Sequence, residues 1–512
     1  MAAPPLARAS GQARRSGVAA TLFFLLLWLP AVTLAEVAPA DGSVPDVRLL
    51  VDCSSSMTVS DPDNLRAPSL ELIVRLLPEG ARAGVWCFGQ GVEELVPLQV
   101  IDAQWRKAAA EAIAAISYAG QRTDIPAALA AAIPDPGQME PAYRTSVILL
   151  TDGTVDVSES PMANASAARR VLTTVAPALR AAGIPVHTIA LSDEADWLFL
   201  RSLAQATGGI AEKAATAGEL PAIFLQALEM VAPMPRAPIA GNRFQIDDSV
   251  QALTALVIFS DSNGPVALVD PAGNRIMPGS SGPDVEWVRN RRFTLVTVTG
   301  PVAGNWQLEA PAASATRVMV TSELQLDVGH LPASFPAGRQ AELGLRLREG
   351  GATITDPEVL ARLPILVEVE RPRGDSVVID VSATYPLSAN GEYRVLLPGF
   401  DEPGRYRLLV RLSAGTVQRE LPLYVEVEPT PATSTIVTRG TDVAQQDLRL
   451  PLLAAGLVLA IVLLALWWIL RRRRRRRLEL WERRGRPDGG SAAGSGPGAV
   501  AGDGAGPAET RG

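Results

Sequence analysis

The stretch Val47-Arg48-Leu49-Leu50-Val51-Asp52-Cys53-Ser54-Ser55-Ser56 decides how the first half of the chain is read. Its opening five residues form the kind of apolar run found in a strand buried within a parallel sheet. The run ends in one carboxylate and two hydroxyls spaced two residues apart: Asp52, Ser54 and Ser56. Oxygen donors of this type suit a hard divalent cation such as Mg²⁺, which takes octahedral geometry and keeps several waters. Asp52 would supply charge, and Ser54 and Ser56 direct ligation. The same pattern also occurs in serine-rich turns whose aspartate only caps a helix.

Two further segments bear on that choice. Thr123-Asp124 precedes a short apolar helix expected over Pro126–Ile133, and Thr145–Thr151 reads as another buried strand ending at Asp152-Gly153. Helical patterns fall near Pro68–Leu77, Gln104–Ile116, Ala163–Ala182, Ala195–Thr207 and Leu220–Met230. Apolar strands fall at Ala81–Phe88, Val147–Thr151 and Pro185–Leu191, with helix stops at Gly183-Ile184-Pro185 and Gly208-Gly209. Alternation on this scale predicts an α/β doubly wound parallel sheet. All three oxygen-bearing segments then lie at its carboxyl edge, where open parallel sheets bind ligands.

At these residues the chain resembles the von Willebrand factor A domain, with its metal-ion-dependent adhesion site, over residues 46–232. Asp52, Ser54 and Ser56 match the first loop of that site, Thr123 the second and Asp152 the third. The resemblance implies a Rossmann-like fold binding Mg²⁺, or Mn²⁺ or Ca²⁺ in its place. It also implies that Ser54, Ser56 and Thr123 contact the metal and that Asp52 and Asp152 act largely through water or hydrogen bonds. A carboxylate from a protein partner fills the remaining position. The residues themselves lead the same way, since two carboxylates around a dication leave it electron-poor and attractive to an acidic group.

Asp61 and Asp63, in the loop Thr58–Arg66, could modify this site, bind a second cation or cap the following helix. Cys53 and Cys87 are the chain's two cysteines. Neighbouring parallel strands lie about 4.8 Å apart, within disulfide reach, so these residues either bridge or remain two buried thiols.

The termini place the chain in an envelope. Arg8, Arg14 and Arg15 precede an apolar run from Val18 to Leu29, and small residues end at Ala35. This is a signal-peptide layout over residues 1–35, cleaved before Glu36 or kept as a signal anchor. Pro451–Leu470 contains no charged residue and would span about 30 Å as a helix, a bilayer's hydrocarbon thickness. Trp467 and Trp468 mark its far edge and Arg471–Arg477 follow, so the tail 471–512 is expected in the cytoplasm beside anionic headgroups. The chain's net charge is −7, with +3 in the first 35 residues and +6 from Arg471 onward, which leaves −16 between them. So acidic a body argues against nucleic-acid binding. The scarcity of lysine and abundance of Ala, Gly, Pro and Arg point to a GC-rich, bacterial genome.

Between these ends, Pro233–Pro238 reads as a hinge. Short alternating runs after it, such as Ala252–Phe259 and Arg405–Leu412, predict two β-sandwiches over 241–322 and 323–428, the second Ig-like. This region loosely resembles the β-domain that follows the A domain in some cell-surface proteins. A Pro/Thr-rich spacer over 429–450 would lift them off the membrane. No zinc, nucleotide or triad motif appears, and His187 falls within a predicted buried strand, so no enzyme is expected. Metal-assisted hydrolysis would lack a base. The expected activity is metal-dependent protein recognition. The alternative is an assembly factor resembling bacterial membrane A-domain proteins that work alongside AAA ATPases.

Overall fold

The computed structural model describes residues 44–429, apart from 119, 261–263, 280–283 and 313, together with Trp467 and Trp468. The expected signal peptide, the spacer beyond Pro429, the tail and the membrane span, save those two tryptophans, lie outside the described residues. Among the described residues no helix is long and apolar enough to cross a membrane. Residues 44–429 belong to one compact unit.

The chain opens as β1 (Val44–Asp52), α1 (Met57–Ser60), α2 (Arg66–Leu76), β2 (Arg82–Phe88), β3 (Val92–Val100), α3 (Ala103–Ala114) and α4 (Ile125–Ala132). It continues as β4 (Tyr143–Thr151), α5 (Pro161–Arg170), α6 (Ala176–Ala181), β5 (Val186–Leu191), α7 (Trp197–Thr207), β6 (Ala211–Ala214) and α8 (Leu220–Val231). The strands form a six-stranded sheet in the order β3-β2-β1-β4-β5-β6. Every pairing is parallel except β2 with β3. The sheet is therefore mixed, where the sequence predicts a parallel one. Glu93, Glu94 and Pro97 mask β3 in the sequence, and an edge strand half exposed to water tolerates all three.

Successive strand residues feed opposite faces, both of them apolar. Leu50 and Leu149 pack with Leu129 of α4, Leu179 of α6 and Leu203 of α7. Leu49, Val51 and Leu150 pack with Ile73 of α2, Trp105 of α3 and Phe224 of α8. The helix expected over Ala163–Ala182 is α5 and α6, joined through a π-turn at Val171–Val175. Pro177, with no amide hydrogen to donate, lies one residue into α6.

The remaining strands begin with β7 (Arg243–Ile246), β8 (Val250–Ile258), β9 (Ala267–Val269), β10 (Arg275–Ile276), β11 (Val285–Arg289), β12 (Phe293–Thr299), β13 (Gly304–Glu309) and β14 (Ala315–Ser322). They build two four-stranded sheets, β10-β9-β13-β7 and β11-β12-β8-β14, which share a core including Ile246, Val257, Leu268, Val296 and Trp306. Then come β15 (Leu324–Val328), β16 (Ser334–Pro336), β17 (Glu342–Glu349), β18 (Ala352–Thr353), β19 (Ile365–Glu370), β20 (Ser376–Asp380), β21 (Glu392–Leu396), β22 (Gly404–Ala414) and β23 (Val417–Glu428). Here β15-β17-β18, with β21 on β17, and β16-β23-β22-β19-β20 share another core. Tyr406, Leu408, Val410 and Leu412 all point into it, as their alternation predicts.

The α/β region joins this β region through a continuous apolar core, since Leu256, Ile258, Phe293 and Leu295 belong to the same cluster as Phe224 of α8. The segment Pro233–Pro238 is no hinge. The amide of Arg236 donates to Glu420 O at 2.9 Å and that of Ala237 to Val318 O at 2.8 Å. The amide of Glu420 returns a bond to Arg236 O at 2.8 Å, and that of Val320 donates to Pro235 O at 3.1 Å. The prolines at 233, 235 and 238 spare the amides of 236 and 237, so a proline-rich segment serves as a clasp between β14 and β23.

Candidate metal centre

Strand register brings the first and third loops together. Val51 stands opposite Leu150, so the next residues, Asp52 and Thr151, end the two central strands side by side. Asp52 is fully buried. Its Oδ1 accepts from the Ser54 amide at 2.8 Å and its Oδ2 from the Thr151 hydroxyl at 2.5 Å. Beyond it the chain turns, with Cys53 N–H donating to Phe88 O and Ser55 N–H to Gly120 O.

Ser54, Ser56 and Asp152 form a connected set. The hydroxyls of Ser54 and Ser56 lie 2.9 Å apart, and Ser56 donates to Asp152 Oδ1 at 2.7 Å. Ser60 donates to Asp152 Oδ2 at 2.6 Å. Thr123 reaches the same place through backbone bonds with Asp156, which hold its loop against the third one. A Cβ at position 153 would meet Thr123 Oγ1 at 3.1 Å, so Gly153 is what lets the two loops approach. An open cleft of about 620 Å³ begins at Ser56, Ser60 and Asp152 and continues past Ser192 and Glu194.

Burial pushes the Asp52 carboxyl up to about 6. Hydrogen bonds from Ser54 and Thr151 oppose this, and the charge of Asp152 adds to it. A cation would relieve the burial of one charge and its repulsion by the other. Among the described residues no three His, Cys, Asp or Glu side chains group as metal ligands. The candidate set is instead two carboxylates and three hydroxyls, all oxygen, which fits a hard dication. Both Asp52 oxygens are already engaged by hydrogen-bond donors, so its contribution is charge felt through neighbours, while Ser54 and Ser56 keep lone pairs free.

Several sequence expectations change here. Asp52, the last residue of a central strand, is covered by the flanking turns. Asp61, left with three possible roles, caps α2 by accepting from the Leu65 and Arg66 amides, and it pairs with the Arg66 guanidinium at 3.0 Å. Asp124 caps α4 through the Ala127 amide. Cys53 and Cys87 are joined by a disulfide across β1 and β2, with Cα atoms 5.8 Å apart. Thr151 and Ser60 join the site without a local sequence signal. Thr151 was hidden as the last residue of an apolar strand, and Ser60 inside a loop with no periodicity.

Residues 46–226 match the family described as von Willebrand factor type A domain. The chain contains a von Willebrand factor type A (vWA) domain. No curated protein matches the chain in sequence. Among solved structures it is similar to a von Willebrand factor type A protein from Catenulispora acidiphila, at 18% identity over 61% of this chain and 64% of that one, with a TM-score of 0.31. Proximal thread matrix protein 1 of the mussel byssus, with a zinc-occupied MIDAS motif, aligns at 19% identity over 39% of this chain and 51% of its own (TM-score 0.30). The vWF domain of the type V pilus tip protein Mfa5 from Porphyromonas gingivalis aligns at 14% over 37% and 95% (TM-score 0.28). The chain thus spans less than two thirds of the first and about half of the mussel protein. The vWA domain belongs to a family of protein-interaction modules, and here it is fused to four further β-sheets.

Proposed function

We propose that the vWA domain is a divalent-cation-dependent protein-recognition head with no catalytic activity. Ser54, Ser56 and Thr123 would hold Mg²⁺ or Mn²⁺ directly, with Asp52 and Asp152 behind them. When bound, the cation supplies a positive charge with a position left for a partner's carboxylate. The observation that carries this reading is the linked set Ser54–Ser56–Asp152 opening onto a cleft at the sheet's carboxyl edge. Large apolar side chains stand exposed in the helices that follow three neighbouring strands: Val59 of α1 at 82%, Met162 of α5 at 80% and Leu198 of α7 at 76%. Exposed apolar groups around a polar centre favour a protein ligand over a free ion.

The same reading places the head outside a bacterial cytoplasmic membrane. Residues 1–35 would export it, the two β-sandwiches and the 429–450 spacer would carry it, and the 451–470 span would anchor it above a cytoplasmic tail whose Arg471–Arg477 meets anionic headgroups. The test is calorimetric titration of Mg²⁺ and Mn²⁺ into the protein and its Ser54→Ala variant, followed by chelator-controlled capture of partners. One-site binding lost in the variant supports the reading; equal binding by both proteins removes it. A second reading is an assembly role through other surfaces, favoured by the shared core and the Arg236 clasp that join the vWA domain to the β region. Partner capture that persists in chelator would select it.

A further inference from the structure

Far from the metal centre, at the amino ends of β4 and β5, the vWA domain and the β region enclose an open cavity of about 1710 Å³. Ligand pockets commonly run to roughly 300–1,000 Å³, so this one has room for a long molecule. Arg144, the second residue of β4, lines it from one side and His330, between β15 and β16, from the other. His187, which the sequence assigns to a different domain from His330, lines it too.

The charge of Arg144 is uncompensated. Its Nη2 donates to Val231 O at 3.2 Å, and no described carboxylate forms an ion pair with it. Burial lowers its hold on its proton, and nothing offsets that effect. His330 is exposed, yet burial by surrounding protein, with the nearby charge of Arg144 adding to it, lowers its pKa as well. A neutral imidazole still donates one N–H. The acids lining the cavity are engaged elsewhere. Glu229 pairs with Arg236 and accepts from the Tyr424 hydroxyl, Asp327 pairs with Arg348, and Glu286 reaches Arg75 at 4.0 Å. Glu79 acts on Arg106. The rest of the wall mixes apolar side chains with hydroxyls and with Arg75, Arg106, Arg180 and Arg339, of which Arg75 pairs with Glu71 and Arg106 and Arg180 hold backbone carbonyls. Met230 and Met234 flank the Val231 carbonyl that Arg144 holds, Met319 lies on β14, and all three remain only partly buried against the core. Methionine is the apolar side chain that best adapts to a flexible chain.

We propose that this cavity binds an amphiphilic anion, a carboxylate or phosphate head on an aliphatic chain, with Arg144 and His330 taking the head and Met230, Met234 and Met319 the chain. Arginine is suited to either head because its guanidinium presents paired donors to paired oxygens. The proposal is independent of the metal centre.

Calorimetric titration of decanoate and decyl phosphate into a detergent-free preparation of the full chain tests it, with decanol and acetate as controls. Saturable binding is expected for at least one anionic amphiphile, and the tighter of the two identifies the head. Decanol and acetate should each bind at least tenfold more weakly. Arg144→Gln should weaken binding at least tenfold and His330→Gln severalfold, while Mg²⁺ titrations stay unchanged. His330 is exposed, so that variant keeps the test valid if Arg144→Gln melts early. Decanol binding as tightly as the anions, acetate matching them, or both variants binding like the parent protein would overturn the proposal.

Discussion

Thr151 donates its hydroxyl hydrogen to Asp52 Oδ2 at 2.5 Å, tying together the carboxyl ends of the two central strands of the vWA sheet. Asp52 is thus both a candidate charge for the metal and a strut of the fold. Asp52→Ala would leave the Thr151 hydroxyl hydrogen and the Ser54 amide without the acceptor they now share, at a cost of about 3 kcal/mol. Urea denaturation of the metal-free variant should show a lower midpoint at unchanged slope. An unchanged midpoint would mean that the bond contributes nothing to stability.

Ser56 separates the two roles, because its side chain is exposed and the buried Asp152, which loses one donor with it, keeps the Ser60 hydroxyl on its other oxygen. Ser56→Ala should cost about 1.5 kcal/mol in chelator, the worth of one hydrogen bond to a carboxylate. Excess Mg²⁺ should stabilise the parent, by about 2.7 kcal/mol at a hundredfold excess over Kd, and leave the variant unmoved. Thermal melts with and without Mg²⁺ decide the matter. A full metal-induced shift in the variant would exclude Ser56 from the site.

The disulfide fixes the first loop to β2. Cys53 and Cys87 are 34 residues apart in sequence, and closing a loop of that length stabilises the fold by roughly 4 kcal/mol in the chain-entropy model. Cys53→Ser paired with Cys87→Ser should lower the melting temperature markedly. Metal affinity should fall as well, because Cys53 lies between Asp52 and Ser54. Unaltered affinity in the folded double variant would show that the loop keeps its shape without the bridge.

What the sequence reveals follows from what is local in it. The strand ending at Asp52 and the one ending at Thr151 are apolar runs, legible because a strand covered on both faces must be apolar throughout. Their register is also implicit, since parallel neighbours align their ends. Strand β3 is not legible, because Glu93, Glu94 and Pro97 are compatible with an edge strand only once β2 is beside it. The clasp at Arg236 is hidden for a similar reason: its partners, Glu420 and Val318, are supplied by tertiary structure, and three prolines in six residues otherwise signal a loose linker. Thr151 and Ser60 act through geometry that no local spacing announces.

Burial holds the pKa of His187 down at about 4, from an ordinary value of 6.5, and its Nδ1 accepts from the Ile210 amide at 3.3 Å. Between these values the unfolded chain takes up a proton that the folded one refuses. The stabilisation is therefore complete above pH 6.5 and declines as the pH falls towards 4, by about 3 kcal/mol in all. Asp52, raised to about 6, works in the opposite sense over much of this range. The difference between the parent and His187→Gln isolates the histidine. Its unfolding free-energy advantage over the variant should shrink from pH 7 to pH 4.5, and a constant difference would contradict the burial argument.

The clasp makes a prediction about a segment that would ordinarily be cut first. The amides of Arg236 and Ala237 are bonded to Glu420 O and Val318 O, and both residues are at least nine-tenths buried. Their exchange with deuterium should be as slow as that of the adjoining strands β14 and β23, because opening them requires separating two sheets. Limited proteolysis should correspondingly fail to release the vWA domain at Pro233–Pro238. Arg236 also faces Glu229 of α8 and Glu420 at 3.7 Å each. Arg236→Ala leaves the buried Glu229 with only Arg317, at 3.9 Å, and removes one of two arginines from the half-buried Glu420, so it should accelerate exchange across this segment by at least tenfold, about 1.4 kcal/mol of local stability. Fast exchange at 236 and 237 in the parent protein would restore the hinge and uncouple the recognition head from the β region.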